Sequence, residues 1–200
     1  MTVLLRLGAL GLIAFVVTFL VDGATRPGYA PMRHPVSALA LGPRGRLQTA
    51  NFLVCGTTVS ASAVPLAHGS GSLLLAVLVA AFGLSLVASG LLPMDPMRGY
   101  PPGAADGTPT QTSARHRAHD AAGALVFTAL PAAALVAAFV LPSPGWRGVS
   151  VIVAVLLALG VVAFGEAWEK DSPRAGLLQR AVIILGWSWL AAVLLMVSVP

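Results

Sequence analysis

Residues 73–92 read LLLAVLVAAFGLSLVASGLL, residues 93–120 read PMDPMRGYPPGAADGTPTQTSARHRAHD, and residues 121–141 read AAGALVFTALPAAALVAAFVL. Two uncharged apolar runs, each about the 20 residues that a bilayer core requires, enclose one polar segment. That alternation decides the fold. In hydrocarbon every backbone N–H and C=O must find its partner within the segment, so an apolar run of this length is a helix. The same test, carried outward, finds further spans at roughly residues 3–21, 50–67, 149–165 and 181–199. Six spans and five loops fill the chain. The expected architecture is all-α: a polytopic six-helix transmembrane bundle forming a single integral membrane domain over residues 1–200. Composition points the same way, with 57% hydrophobic and 10% charged residues and a mean hydropathy of +0.87, against about 25% charged in soluble domains.

Smaller features refine this plan. Val3–Val21 has a signal peptide's length, but the Asp22-Gly-Ala-Thr-Arg26-Pro27 that follows lacks a small-residue cleavage pattern, so it is read as a span. Pro35–Leu41, bounded by a proline and by Gly42-Pro43, predicts a short interfacial helix in the first loop. Gly56 and Ser60 have the small-xxx-small spacing that lets membrane helices approach closely. His68–Ser72 reads as a tight turn, Pro131 as a kink in span four, and Glu166–Arg180 as the fifth loop. Gly99–Pro109 is too rich in proline and glycine for a helix and reads as a tether or flap.

Charge is distributed unequally between the two faces. With six spans, the first, third and fifth loops share one side. All 7 acidic residues lie there, as do all 12 basic residues except Arg6 and Arg147. Three of the 4 histidines join them, and His68 lies opposite. Lys and Arg mark the cytoplasmic side of membrane proteins, so the count favours a plasma-membrane protein with these three loops in the cytoplasm. Loop length accounts for part of the asymmetry, because longer loops hold more of every polar residue.

Three constellations on this face can carry chemistry. In His116-Arg-Ala-His119-Asp120, an early start to the fourth helix puts His116 and His119 at i,i+3 and His116 and Asp120 at i,i+4, on one face, with Ser113 suited to cap it. Two imidazoles and a carboxylate can hold a divalent metal or orient a proton donor. Asp95 is the nearest third ligand, and the glutamate of the HExxH motif is absent. A divalent metal is therefore the one cofactor that the residues suggest. In Pro93-Met-Asp95-Pro96, a carboxylate leaves a span at the hydrocarbon boundary; partial desolvation there raises its pKa toward that of a general acid, unless Arg26 or Arg98 pairs with it. In the first loop, Arg26 and Tyr29 are suited to an anionic headgroup through the guanidinium fork, with His34 beside them.

Several function classes are excluded. The basic residues form no patch with an aromatic platform, which argues against nucleic acid. Cys55 is the only cysteine, so no intramolecular disulfide or cysteine cluster forms. There is no nucleophile elbow and no phosphate-binding glycine loop, and no span centre carries a charge, which argues against a proton-coupled pump or a charged pore.

Six spans, a first loop reading RPGY (26–29) and HPVSALALG (34–42), a third span ending GLLPMDP (90–96), and histidines leading into span four together resemble the bacterial integral membrane family catalogued as domain of unknown function 998. The resemblance covers nearly the whole chain and implies a six-helix membrane protein with no established reaction. It carries over onto His34 and Ser37 in the first loop, Asp95 after span three, and His116 and His119 before span four. The leading reading is a membrane-embedded enzyme or a lipid- or isoprenoid-binding protein, with membrane lipids and an amphipathic small molecule as partners. Asp95, His116, His119, Asp120 and His34 are then the acid–base or ligand groups, and Arg26, Tyr29 and Ser37 the substrate contacts. The alternative is a non-catalytic scaffold or small transporter, and the residues leave open whether there is a reaction at all.

Overall fold

A computed structural model of the chain describes residues 1–199 and contains six long helices: α1 (Thr2–Thr25), α2 (Gly45–Ser70), α3 (Leu73–Leu91), α4 (Ala114–Val140), α5 (Pro144–Glu169) and α6 (Ala175–Val197). All six are long and apolar enough to cross a membrane. The expected short helix of the first loop is a 3₁₀ turn, Val36–Ala40. There are no strands among the described residues, and the architecture is the six-helix bundle that the hydropathy pattern predicts.

Each helix packs on its neighbours in chain order, and α1 and α6 close the ring. Large apolar side chains such as Leu10, Val17, Leu84, Phe139, Ile152 and Leu159 stay exposed on the outer wall. In water such a surface associates; here it faces lipid. Inside the ring, Trp187 is the hub. Phe15 stacks on it at 5.7 Å and Phe82 meets it edge-on at 4.7 Å. Lipid tails are as apolar as these side chains, so close packing rather than water exclusion holds the helices together. Between α2 and α3 the backbones themselves come close. A Cβ added to Gly56 would lie 2.5 Å from the Gly83 carbonyl oxygen, and one added to Gly83 would meet the Ser60 hydroxyl at the same distance. Ser60 itself donates to the Gly56 carbonyl at 2.8 Å, so the small-residue spacing serves packing.

The helices extend beyond the apolar cores that hydropathy marks, because helical hydrogen bonding continues into the polar interface. α4 begins at Ala114, two turns before the expected residue 121, with Ser113 accepting from His116 N–H as its cap. The polar segment is therefore shorter than residues 93–120, and His116, His119 and Asp120 are helical. α4 runs through Pro131 without interruption. The fifth loop contracts in the same way: Glu166 and Glu169 belong to α5, Arg180 to α6, and Lys170–Arg174 remain between them. The turn at residues 68–72 shrinks to Gly71, left-handed at φ 68°, and Ser72, which caps α3.

The three polar loops form one cap over the end of the ring. Residues 98–107 are not a free flap: Arg98 N–H donates to the Gly107 carbonyl and Gly99 N–H to that of Ala105, folding the segment back on itself.

Candidate functional site

The cap is held by a buried arginine. All five N–H groups of Arg26 are engaged within the chain. Nε and Nη2 bind the two oxygens of the buried Asp22. Nη1 donates to the carbonyls of Leu39 and Leu41, both at 2.8 Å, and to the Tyr100 hydroxyl at 3.2 Å, while Nη2 also reaches the Arg44 carbonyl at 3.0 Å. One side chain thus gathers α1, the first loop and the third. A headgroup contact of the kind expected of Arg26 would need one of these donors released. Tyr29 is engaged as well. Its hydroxyl lies against the carbonyls of His34 and Pro35 and accepts from Arg180, and burial pushes its pKa up to about 12.

The histidines and Asp95 expected to converge fall into separate hydrogen-bonded groups. His34 Nδ1 accepts from Ala30 N–H at 2.9 Å, and Nε2 lies 3.0 Å from the Arg98 carbonyl, to which it must donate. Both nitrogens serve the neutral ring, and burial lowers its pKa. This is a clamp between the first and third loops. Asp95 caps the start of α4: its carboxylate accepts from Ser113 N–H and Ser113 Oγ, both at 2.7 Å. Those bonds stabilise the ionised form and hold its pKa below the usual carboxylate range. The expected raised pKa, and the alternative pairing with Arg26 or Arg98, are both corrected. His116 completes the same group, with Nδ1 accepting from Asp95 N–H at 2.9 Å and Nε2 3.2 Å from Asp120. Arg98 belongs to the cap; it stacks over the Trp168 ring at 3.5 Å and pairs with Asp171 at 3.2 Å.

Among the described residues, no group of three or more His, Cys, Asp or Glu side chains converges as metal ligands. His116, His119 and Asp95 do not form the set considered from the sequence, because His116 Nδ1 and both Asp95 oxygens are occupied by donors of the chain.

Of these histidines, His119 lines a cleft. An open cleft of about 430 Å³ lies between α4 and α5 near the cap, lined among others by Ser37, His119, Asp120, Gly123, Phe127, Phe164, Trp168, Glu169 and Gln179. It meets a smaller chamber of about 50 Å³ inside the ring, with Ser37, His119, Gly123, Phe127 and Gln179 common to both. His119 Nδ1–H donates to the Leu92 carbonyl at 2.7 Å, so the neutral ring carries its lone pair on Nε2. The Gln179 amide oxygen accepts from Val36 N–H at 2.7 Å, and its NH₂ donates to no other described residue. The buried polar edge of the cleft is therefore one acceptor and one donor. Ser37, whose hydroxyl points to the Met94 sulfur at 3.3 Å, lies beside them.

Below that edge the cleft turns apolar. Phe127 and Phe164 lie 5.4 Å apart between ring centres, and Phe164 and Trp168 lie 6.3 Å apart. From Asp120 to Thr128 the wall descends about 12 Å along α4, at the helical rise of about 1.5 Å per residue. A Cβ on Gly123 or Gly165 would meet nothing within 4 Å, so the gap is open beside both glycines. The cleft's volume lies within the roughly 300–1,000 Å³ of small-molecule sites.

Gln179, Phe127, Phe164, Trp168 and the two glycines were not singled out from the sequence. A signal was present: His119, Gly123 and Phe127 are spaced by four along α4, as are Gln179, Ile183 and Trp187 along α6. Reading residues 166–180 as a loop hid the second stripe.

A ring of six spanning helices with a polar cap and a lateral cleft defines a multi-pass membrane protein. The chain belongs to the family described as protein of unknown function (DUF998), whose model matches residues 9–196. No curated protein and no solved structure matches it.

Proposed function

We propose that this protein binds a single-chain amphipathic lipid or isoprenoid in the cleft between α4 and α5, its polar end at His119, Gln179 and Ser37 and its chain along the Phe127–Phe164 wall. The observation that carries this reading is the gradient in one cavity. A buried donor and acceptor stand at the capped end, aromatic side chains follow, and the open side lies between two spanning helices, where lipid has direct access. On this reading the cap is cytoplasmic and the membrane the plasma membrane, an orientation that the arginine count supports, and the ligand enters from the cytoplasmic leaflet. Arg26, Tyr29 and His34 shape the cap from within. Asp95, His116 and Asp120 hold the start of α4 and so position His119.

The test is photolabelling in lipid nanodiscs with a diazirine-bearing fatty alcohol. Labelled peptides should concentrate at residues 123–128 and 161–168, and Gly123→Leu or Gly165→Leu should remove that labelling while leaving thermal stability close to wild type. Uniform labelling of all lipid-facing helices, unchanged by either leucine, refutes the reading.

A further inference from the structure

The charge lining the cleft carries the reading further, to the class of headgroup. Its only formally charged side chains are Asp120 and Glu169, although basic residues outnumber acidic ones by 12 to 7 in the chain. Basic residues of the cap have partners outside the cleft lining or stack on it: Arg98 lies over the Trp168 ring and pairs with Asp171, Arg26 pairs with Asp22, and Lys170 pairs with Glu166. Nothing in the cleft offers the guanidinium fork that a phosphate requires. What it offers instead is two carboxylates beside a run of three aromatic rings, the combination that attracts ammonium groups, since the face of an aromatic ring is negative. The buried His119, with its ring lone pair on Nε2, adds an acceptor that a protonated amine can use.

We infer that the cleft selects a cationic amphiphile: a single apolar chain bearing an amine or quaternary ammonium head, held between Glu169 and Asp120 with the head against the Phe164 ring, since Trp168 already carries Arg98. This rests on the lipid-binding reading above and specifies its ligand. The same arrangement disfavours a phosphate-headed chain, which two carboxylates repel and no cation of the lining offsets.

The experiment uses three photoprobes with the same diazirine-bearing chain and trimethylammonium, hydroxyl or phosphate heads, added to the full-length protein in uncharged nanodiscs. Labelling of the cleft is normalised to that of the lipid-facing wall of α1. The trimethylammonium probe should label the cleft about tenfold more than the phosphate probe, as expected when exposed ion pairs and cation–π contacts of modest strength act together, with the alcohol between them. In the Glu169→Gln, Asp120→Asn double variant, whose amides keep the shape and leave an acceptor for His116, the preference should fall to near unity while alcohol labelling persists. Equal labelling by the three heads, or a preference for phosphate, overturns the inference and leaves the lipid-binding reading intact. Absence of cleft labelling by every probe overturns both.

Discussion

Replacing Arg26 with methionine separates the two roles that this residue can have. The guanidinium is buried, with its side chain 3% exposed and that of Asp22 2% exposed. Methionine keeps much of the stem's volume and removes every donor. Asp22 then stays buried with only the half-exposed Arg44, at 3.2 Å, to offset its charge, and the carbonyls of Leu39, Leu41 and Arg44 lose the donor that gathers them. Breaking a buried ion pair by removing one partner costs about 3–5 kcal/mol. With the soluble-domain conversion of about 2–4 °C per kcal/mol for a chain of this size, that is a fall in melting temperature of roughly 6–20 °C. The second half of the cycle is Asp22→Asn combined with Arg26→Met. Because the single variant leaves a buried charge that Arg44 only partly offsets and the double variant does not, the double should be no less stable than Arg26→Met alone. The assay is thermal unfolding in mild detergent followed by tryptophan fluorescence, alongside cleft photolabelling. An Arg26→Met protein of unchanged stability that no longer takes up an amphiphile would refute the reasoning and restore Arg26 as a headgroup ligand.

Three further outcomes test the local geometry. Gly56→Ala should cost about 1–3 kcal/mol by overpacking α2 against α3, whereas Gly165→Ala, whose Cβ meets open space, should be nearly silent in the same unfolding assay. His34 is buried neutral, with its folded pKa below the ordinary value. The unfolded chain therefore binds the proton more readily, and the stability it contributes is complete above about pH 6.5 and declines as pH falls from there toward the folded pKa; His34→Gln should flatten this slope in melting temperatures compared between pH 5 and pH 8. Asp95 has the opposite chemistry. Its folded pKa is depressed, so its contribution is present above the ordinary carboxylate value of about 4 and is lost as pH falls through the folded one; Asp95→Asn should be less stable than wild type at pH 7, and the difference should close as the solution is acidified.

Six spans, their order and the polar face were legible because hydrocarbon imposes a local rule. A stretch that crosses the bilayer must be apolar over about 20 residues and must satisfy its own backbone, so each span announces itself without its neighbours. Ser113 as a cap and the i,i+4 pairing of His116 with Asp120 were legible for the same reason: both are set by a few adjacent residues. The membership of the site was not. Arg26, Tyr29 and His34 have the composition of a ligand site, yet the fold engages each of them with partners far along the chain: Tyr100, Arg180 and Arg98. The cleft was hidden for the converse reason. It is a local gap between α4 and α5, bordered by a glycine on each and edged by Gln179 from a third helix, and no stretch of sequence records the space between helices. Hydrogen-bond capacity is written in the sequence. Whether it is satisfied within the protein or left free for a ligand depends on which loops fold over one another, and that is a property of the tertiary structure alone.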